Sequence, residues 1–160
     1  MKQTGASPIH EDPAATEPVE GGPLSQLTIY LVDPDEEQQR VVERATVGRD
    51  TVVRQFRSAR TFLEEFVDAP RSCVVLEENL SDASGTEVLR ELRSRSSDVP
   101  VLFAARGPSS KVVVRCLKMG ACDFFEKPVS SIELSAAIES AVEQDRQRRA
   151  EMELRDSVMQ

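Results

Sequence analysis

Six acidic side chains and one lysine stand where short apolar runs of this chain end. Asp33, Asp35 and Glu36 follow TIYLV (28–32), Glu77 ends SCVVLE (72–77) with Glu78 after it, and Lys127 follows ACDFF (121–125) between Glu126 and Pro128. Carboxylates gathered around a single ammonium can pair with it or offer oxygens to a hard cation. The same acids repel a phosphate, which would need a Gly/Ser/Thr-rich turn whose backbone N–H groups open a helix. Neither GxGxxG nor GxxxxGK[ST] occurs in the chain. A flavin or dinucleotide site is therefore disfavoured.

The elements that must gather these residues can be read from the periodicity. Besides the three runs named, TVVRQF (51–56) and PVLFAA (100–105) have the length and branched or aromatic content of strands. Between them lie segments at helical spacing: Val41, Val42 and Ala45; Phe62, Leu63, Phe66 and Val67; Val88, Leu89 and Leu92; Val112, Val113, Cys116 and Leu117; and last Leu134, Ile138 and Val142. The order is strand then helix, five times. Strands joined through helices run in parallel and are covered on both faces. Gly120, just past the fourth helix, suits a left-handed C-terminal residue. In an open parallel sheet ligands bind beyond the carboxyl ends of the strands, and that is where the acids and Lys127 stand, together with Pro34, Asn79, Ala105 and Arg106.

Composition narrows the function classes. A chain of 160 residues with 39% hydrophobic content has room for one globular domain. No run approaches the ~18 unbroken apolar residues of a membrane span. The N-terminus lacks an export signal, so a cytoplasmic location without membrane contact is expected. Cys73, Cys116 and Cys122 form no CxxC, which disfavours a disulfide framework or a zinc site. A net charge of -8 and pI near 4.8 argue against a nucleic-acid partner. Residues 1–25, rich in Pro, Gly and acids and carrying the lone His10, read as a disordered leader. Residues 26–142 read as the folded domain, and 143–160 as a charged helical extension of the last helix. Within it, Arg146-Gln147-Arg148-Arg149, interleaved with acids, reads as a solvated face, and Met152 and Val158 are the candidates to face a partner.

The segments LTIYLVDPDEEQQR, RQFRSARTFLEEF, CVVLEENLSDASGTEVLREL, VPVLFAARG and LKMGACDFFEKPV resemble the successive blocks of a response-regulator receiver domain, particularly the receivers of FixJ-like regulators. The resemblance covers about 27–142. It implies a doubly wound, five-stranded parallel α/β sheet of the flavodoxin-like, CheY-like (βα)5 type with strand order 2-1-3-4-5, an order already associated with this kind of fold. It also implies two-component phosphorelay signalling in bacteria. In that family an aspartate ending the third strand accepts a phosphoryl group from a histidine kinase. Two acids after the first strand help bind Mg²⁺, a Thr or Ser ends the fourth strand, and a Lys-Pro pair follows the fifth.

Carried over residue by residue, the resemblance is mixed. Asp33 matches the first acid and Lys127 the lysine, with Phe124 at the rotating aromatic and Gly85 at the glycine of the third helix. Pro34 takes the place of the second acid, Glu77 that of the phosphoacceptor, and Ala105 that of the hydroxyl residue. Proline supplies no ligand, so Asp33 is the only matching one; Mg²⁺ binding is expected to be weak or absent, with no other cofactor. Glu77 carries its carboxylate roughly 1.3 to 1.5 Å further than an aspartate would. The resulting expectation is a degenerate pseudo-receiver without enzymatic activity, with Glu77 facing Lys127 and holding something near the activated arrangement. Asp35 reads as the N-cap of the first helix. A functioning phosphoreceiver and a small-molecule sensor using the space around Ala105 and Pro34 are the competing readings. By resemblance, a histidine kinase or downstream effector would meet the face of the fourth helix, fifth strand and fifth helix, at Lys111, Val112, Arg115, Lys118, Phe124 and Glu126. A second copy of the chain is a further candidate partner. FixJ-like regulators continue into a DNA-binding domain, and the end at Gln160 leads to the expectation of a stand-alone module.

Overall fold

The structure, a computed structural model, describes residues 26–159; the acidic leader and Gln160 lie outside the described residues. The elements run β1 (Leu27–Val32), α1 (Glu36–Ala45), β2 (Thr51–Phe56), α2 (Ala59–Glu65), β3 (Ser72–Glu77), α3 (Gly85–Ser94), β4 (Val101–Ala105), α4 (Ser110–Lys118), β5 (Asp123–Glu126) and α5 (Ser131–Val158). All five strands are parallel, in the order β2-β1-β3-β4-β5. Each helix opens on a side-chain cap: Asp35, Ser58, Ser84, Ser109 and Ser130 each accept a hydrogen bond from a first-turn N–H. Ser84 and Glu87 complete a reciprocal capping box.

The alternation of strand side chains divides the core into two layers. Tyr30, Val32, Val74, Leu76, Val101 and Phe103 point toward α2, α3 and α4, where they meet Phe62, Val88, Leu89, Leu92 and Cys116. Leu27, Ile29, Leu31, Cys73, Val75, Leu102 and Ala104 point the other way, against Val41, Val42, Leu134, Ile138 and Val142 of α1 and α5. This parity matters for the site. Asp33 continues the Leu27-Ile29-Leu31 row, Glu77 the Cys73-Val75 row, and Lys127 follows Phe125, which packs on the same layer. All three reach the carboxyl end of the sheet on the α1/α5 side.

Several elements differ from the sequence expectation. Strand β5 begins at Asp123 rather than Ala121, and α2 ends at Glu65, with Phe66 as its C-cap. Helix α4 is turned so that Val112, Cys116 and Met119 face the core, while Leu117, expected inside, is 43% exposed. One position past Cys116 on a helix is a rotation of about 100°, which carries Leu117 off the buried stripe. The tail beyond residue 142 continues α5 without a break to Val158. Its Arg148 and Arg149 are not a solvated face: they pair with Asp145, Asp98 and Asp68. Gly120 has φ +105, as a residue just past a helix end often does. No helix among the described residues is long and apolar enough to cross a membrane.

Candidate functional site

Parallel pairing sets Val32 beside Leu76 and Glu77 beside Ala104, so the ends of β1, β3 and β4 are level. Lys127 follows β5, its backbone N–H donating to the Ala105 carbonyl at 2.8 Å. Its ammonium consequently enters between two carboxylates. Nζ donates to Glu77 Oε1 at 2.7 Å, and it lies 2.7 Å from Asp33 Oδ2 in an ion pair. Asp35 Oδ2 accepts a third contact at 3.3 Å. The side chains of Lys127, Asp33 and Glu77 are 4%, 2% and 10% exposed, so this charge cluster is taken out of water.

Burial and pairing compete in the charge states. Burial pushes the Asp33 carboxyl above its ordinary range, although Lys127 and the Asp35 N–H favour its ionised form. For Lys127, burial disfavours the ammonium, but the Asp33 and Glu77 carboxylates outweigh it and its value rises. Burial also acts against ionisation of Asp35, yet the Glu37 N–H, Lys127 and Arg106 together hold its carboxyl below the usual range.

The remaining oxygens are committed as well. Asp33 Oδ1 accepts the Asp35 N–H at 2.9 Å, and Glu77 Oε2 accepts the Asn79 N–H at 2.7 Å. Pro34, exposed beside them, offers only its carbonyl, which accepts from Arg57 at 3.4 Å. A hard divalent ion needs several oxygens in near-octahedral array. Here an ammonium and two backbone N–H groups take the oxygens of both buried carboxylates, and no metal-holding group of three His, Cys, Asp or Glu residues occurs among the described residues. This donor set does not fit Mg²⁺.

Neighbouring residues fix the loops around the cluster, and several were not singled out from sequence. Asp35 is the N-cap of α1, accepting from Glu37 N at 2.9 Å, and a Lys127 partner at the same time. Arg106 reaches Asp35 Oδ2 at 3.3 Å from the exposed rim. Glu78 Oε1 accepts both the N–H and the hydroxyl of Thr86 at 2.9 Å, tying the end of β3 to the first turn of α3. Asp82 accepts the N–H groups of Ala59 and Arg60 at 3.0 Å, holding the same loop to α2. Gly85 is required by close approach: a Cβ there would lie 2.7 Å from the Glu77 carbonyl and 2.8 Å from Phe103. Arginine at 106 and an acid at 82 are common in loops, and only their neighbours across the fold distinguish them.

The expected switch and interface residues lie on the other layer. Ala105 is fully buried, and its side chain contributes no polar atom to the cluster. Phe124, half-buried, stacks on Phe103 with centroids 5.6 Å apart and planes at 5°. The two are directly paired across β4 and β5. Lys111, Arg115, Lys118 and Glu126 are exposed, whereas Val112 turns toward the core. The apolar exposure on α4 comes from Val114 and Leu117.

Comparison with known proteins agrees with this architecture. The FixJ transcriptional regulatory protein of Azorhizobium caulinodans is 29% identical over 132 residues, covering 80% of this chain and 63% of its own length. Nodulation protein W of Bradyrhizobium diazoefficiens is 32% identical over 127 residues, covering 78% of this chain and 55% of its own. The structure of the response regulator StyR superposes with TM-score 0.75 at 27% identity, covering 84% of this chain and 68% of that one. The chain thus spans between half and two thirds of these curated relatives. The response regulator receiver domain pattern matches residues 29–139, the stretch that carries the 2-1-3-4-5 parallel sheet and the carboxylate–lysine cluster at its end, and the chain belongs to that family.

Proposed function

We propose that this receiver domain works in two-component signalling through protein–protein contact and without a phosphorylation cycle. The observation that carries this reading is the Lys127 ammonium, 2.7 Å from a carboxylate oxygen of both Asp33 and Glu77. Phosphoryl transfer depends on in-line positioning and on charge neutralisation at the equatorial oxygens. With Pro34 and Ala105 in place of an acid and a hydroxyl, two of the groups that would supply them are missing. Glu77 already gives Lys127 an anionic partner, as a phosphoryl group on that strand end would. The cluster then holds one arrangement, which partner proteins read at α4, β5 and the start of α5. On α4 itself, Lys111, Arg115 and Lys118 surround Val114 in an open depression of about 520 Å³, whose basic rim suits an acidic partner segment.

The test is incubation of the protein with Mg²⁺ and acetyl phosphate, followed by intact-mass spectrometry, with beryllofluoride titration by NMR in parallel. No adduct and an unchanged spectrum are expected. A stoichiometric acyl phosphate would overturn the proposal and establish a functioning phosphoreceiver. Glu77→Gln, which removes the anion but keeps the shape, is expected to reduce partner capture relative to the parent, whereas unchanged capture would remove Glu77 from the signalling role.

A further inference from the structure

The second buried ionic cluster lies at the opposite end of the sheet, where α5 passes the segments Asp68–Arg71, before β3, and Ser96–Asp98, before β4. Asp145 is 5% exposed, in a helix whose neighbours on either side, Gln144 and Arg146, face solvent. Arg148 Nη2 donates to Asp145 Oδ1 at 2.6 Å and Arg149 Nε to Oδ2 at 2.7 Å, so both carboxylate oxygens are taken from the next turn of the same helix. Each guanidinium then reaches off the helix. Arg149 Nη2 donates to Asp68 Oδ2 and to the Ala69 carbonyl, both at 3.3 Å, and Arg148 Nη1 approaches Asp98 at 3.5 Å. Asp68 is itself held by the buried Ser97 hydroxyl at 2.6 Å, which joins the two loops. After Ala150 every described residue of α5 is exposed.

We infer that this network is an anchor that fixes the direction in which α5 leaves the domain. Asp145 is the positioning residue: its buried charge draws two planar guanidinium forks inward, and their remaining donors pin the helix to both loops. Without the network the last buried contact of α5 would be Val142, and the rest of the helix would be held in direction only by its own backbone hydrogen bonds. The anchor moves the last point of attachment to Arg149, about two turns further. It also stands a strand length, roughly 20 Å for six residues, from the Lys127 cluster. The orientation of residues 151–159, and of whatever meets them, is therefore set independently of that cluster, and the inference does not rest on the proposed function.

The experiment is pulsed dipolar EPR on the full chain carrying Cys122→Ser, with spin labels at Ser94→Cys and Ser157→Cys. A narrow, single-peaked distance distribution is expected for the parent, and at least a twofold broadening for Asp145→Ala. Alanine raises helix propensity but removes two intrahelical ion pairs, so far-UV circular dichroism is recorded alongside and should show unchanged helicity; broadening that comes with lost helicity overturns the inference. Arg146→Ala, whose partner is the exposed Glu143, should keep the parent's width. If Asp145→Ala does not fold, as judged by its thermal melt, Arg149→Ala replaces it and should also broaden the distribution. A parent as broad as the variant, or a folded variant as narrow as the parent, overturns the inference.

Discussion

The two ends of the sheet each bury an ionic cluster, and the two are built in opposite ways. At the carboxyl end one ammonium faces three carboxylates, Asp33, Asp35 and Glu77, delivered by strand ends up to 94 residues apart in sequence. At the other end one carboxylate, Asp145, faces two guanidinium groups three and four residues along its own helix. A lysine is a compact point charge that fits where carboxylates converge, whereas arginine forks can hold one carboxylate and still reach a second. The first cluster therefore carries surplus negative charge and relies on Lys127 to exist. The second hands its surplus positive charge on to Asp68 and Asp98. One is a site whose chemistry depends on a single cation, the other a mechanical joint.

The comparison can be broken most strongly at Lys127. Lys127→Met leaves Asp33 and Glu77 buried without their cation and is expected to cost about 3 kcal/mol of stability, read from urea unfolding. A loss within measurement error would mean that the carboxylates are not charged in the folded state. Gly85→Ala pushes a methyl group against the Glu77 carbonyl and Phe103; a cost of about 2 kcal/mol is expected, with the largest amide shifts at Glu77, Glu78 and Phe103. At the other end, Asp145→Asn keeps the shape but loses the charge. It should cost about 1.5 kcal/mol, and Arg146→Ala should cause no measurable change in the same melt.

The smallest effect is also the most diagnostic in sign. Burial sets the folded pKa of Asp33 above its ordinary 3.8. Its contribution to stability is then complete below that value and is lost as pH rises through the folded pKa. Asp33→Asn retains an acceptor for the Asp35 N–H and removes this loss. The variant's melting temperature relative to the parent should accordingly rise as pH increases from about 4 through the folded pKa of Asp33. A difference that falls over this interval would show that pairing with Lys127, rather than burial, dominates at Asp33.

Much of the fold was legible in the sequence because the two periodicities are strong. The run LTIYLV alternates between two core layers, and Leu134, Ile138 and Val142 recur on one face of α5, so strand, helix and parallel order follow from patterning. Asp35 was readable as a cap because a short acid before a helix has a local partner, the Glu37 N–H. Its second role, toward Lys127, has no local signature. Helix α4 was misread at Leu117 because a run of apolar residues around a short amphipathic helix does not say which of them faces the sheet. Arg148 and Arg149 looked like a solvated face because their distant partners, Asp68 and Asp98, stand 50 or more residues away in sequence.

The sequence by itself determined that five strands and five helices alternate, that acids and one lysine stand at strand ends, and that Pro34, Glu77 and Ala105 occupy positions where the receiver pattern has other residues. These are properties of residue type and spacing, which local propensity and periodicity carry. Only the tertiary structure decided that Lys127 meets Asp33 and Asp35 together with Glu77, that the second oxygens of Asp33 and Glu77 go to backbone N–H groups, and that Phe124 lies flat on Phe103. Those outcomes depend on the level at which non-adjacent strands end, on side-chain parity across a sheet, and on which charges are removed from water together, and none of these is a function of neighbouring residues along the chain.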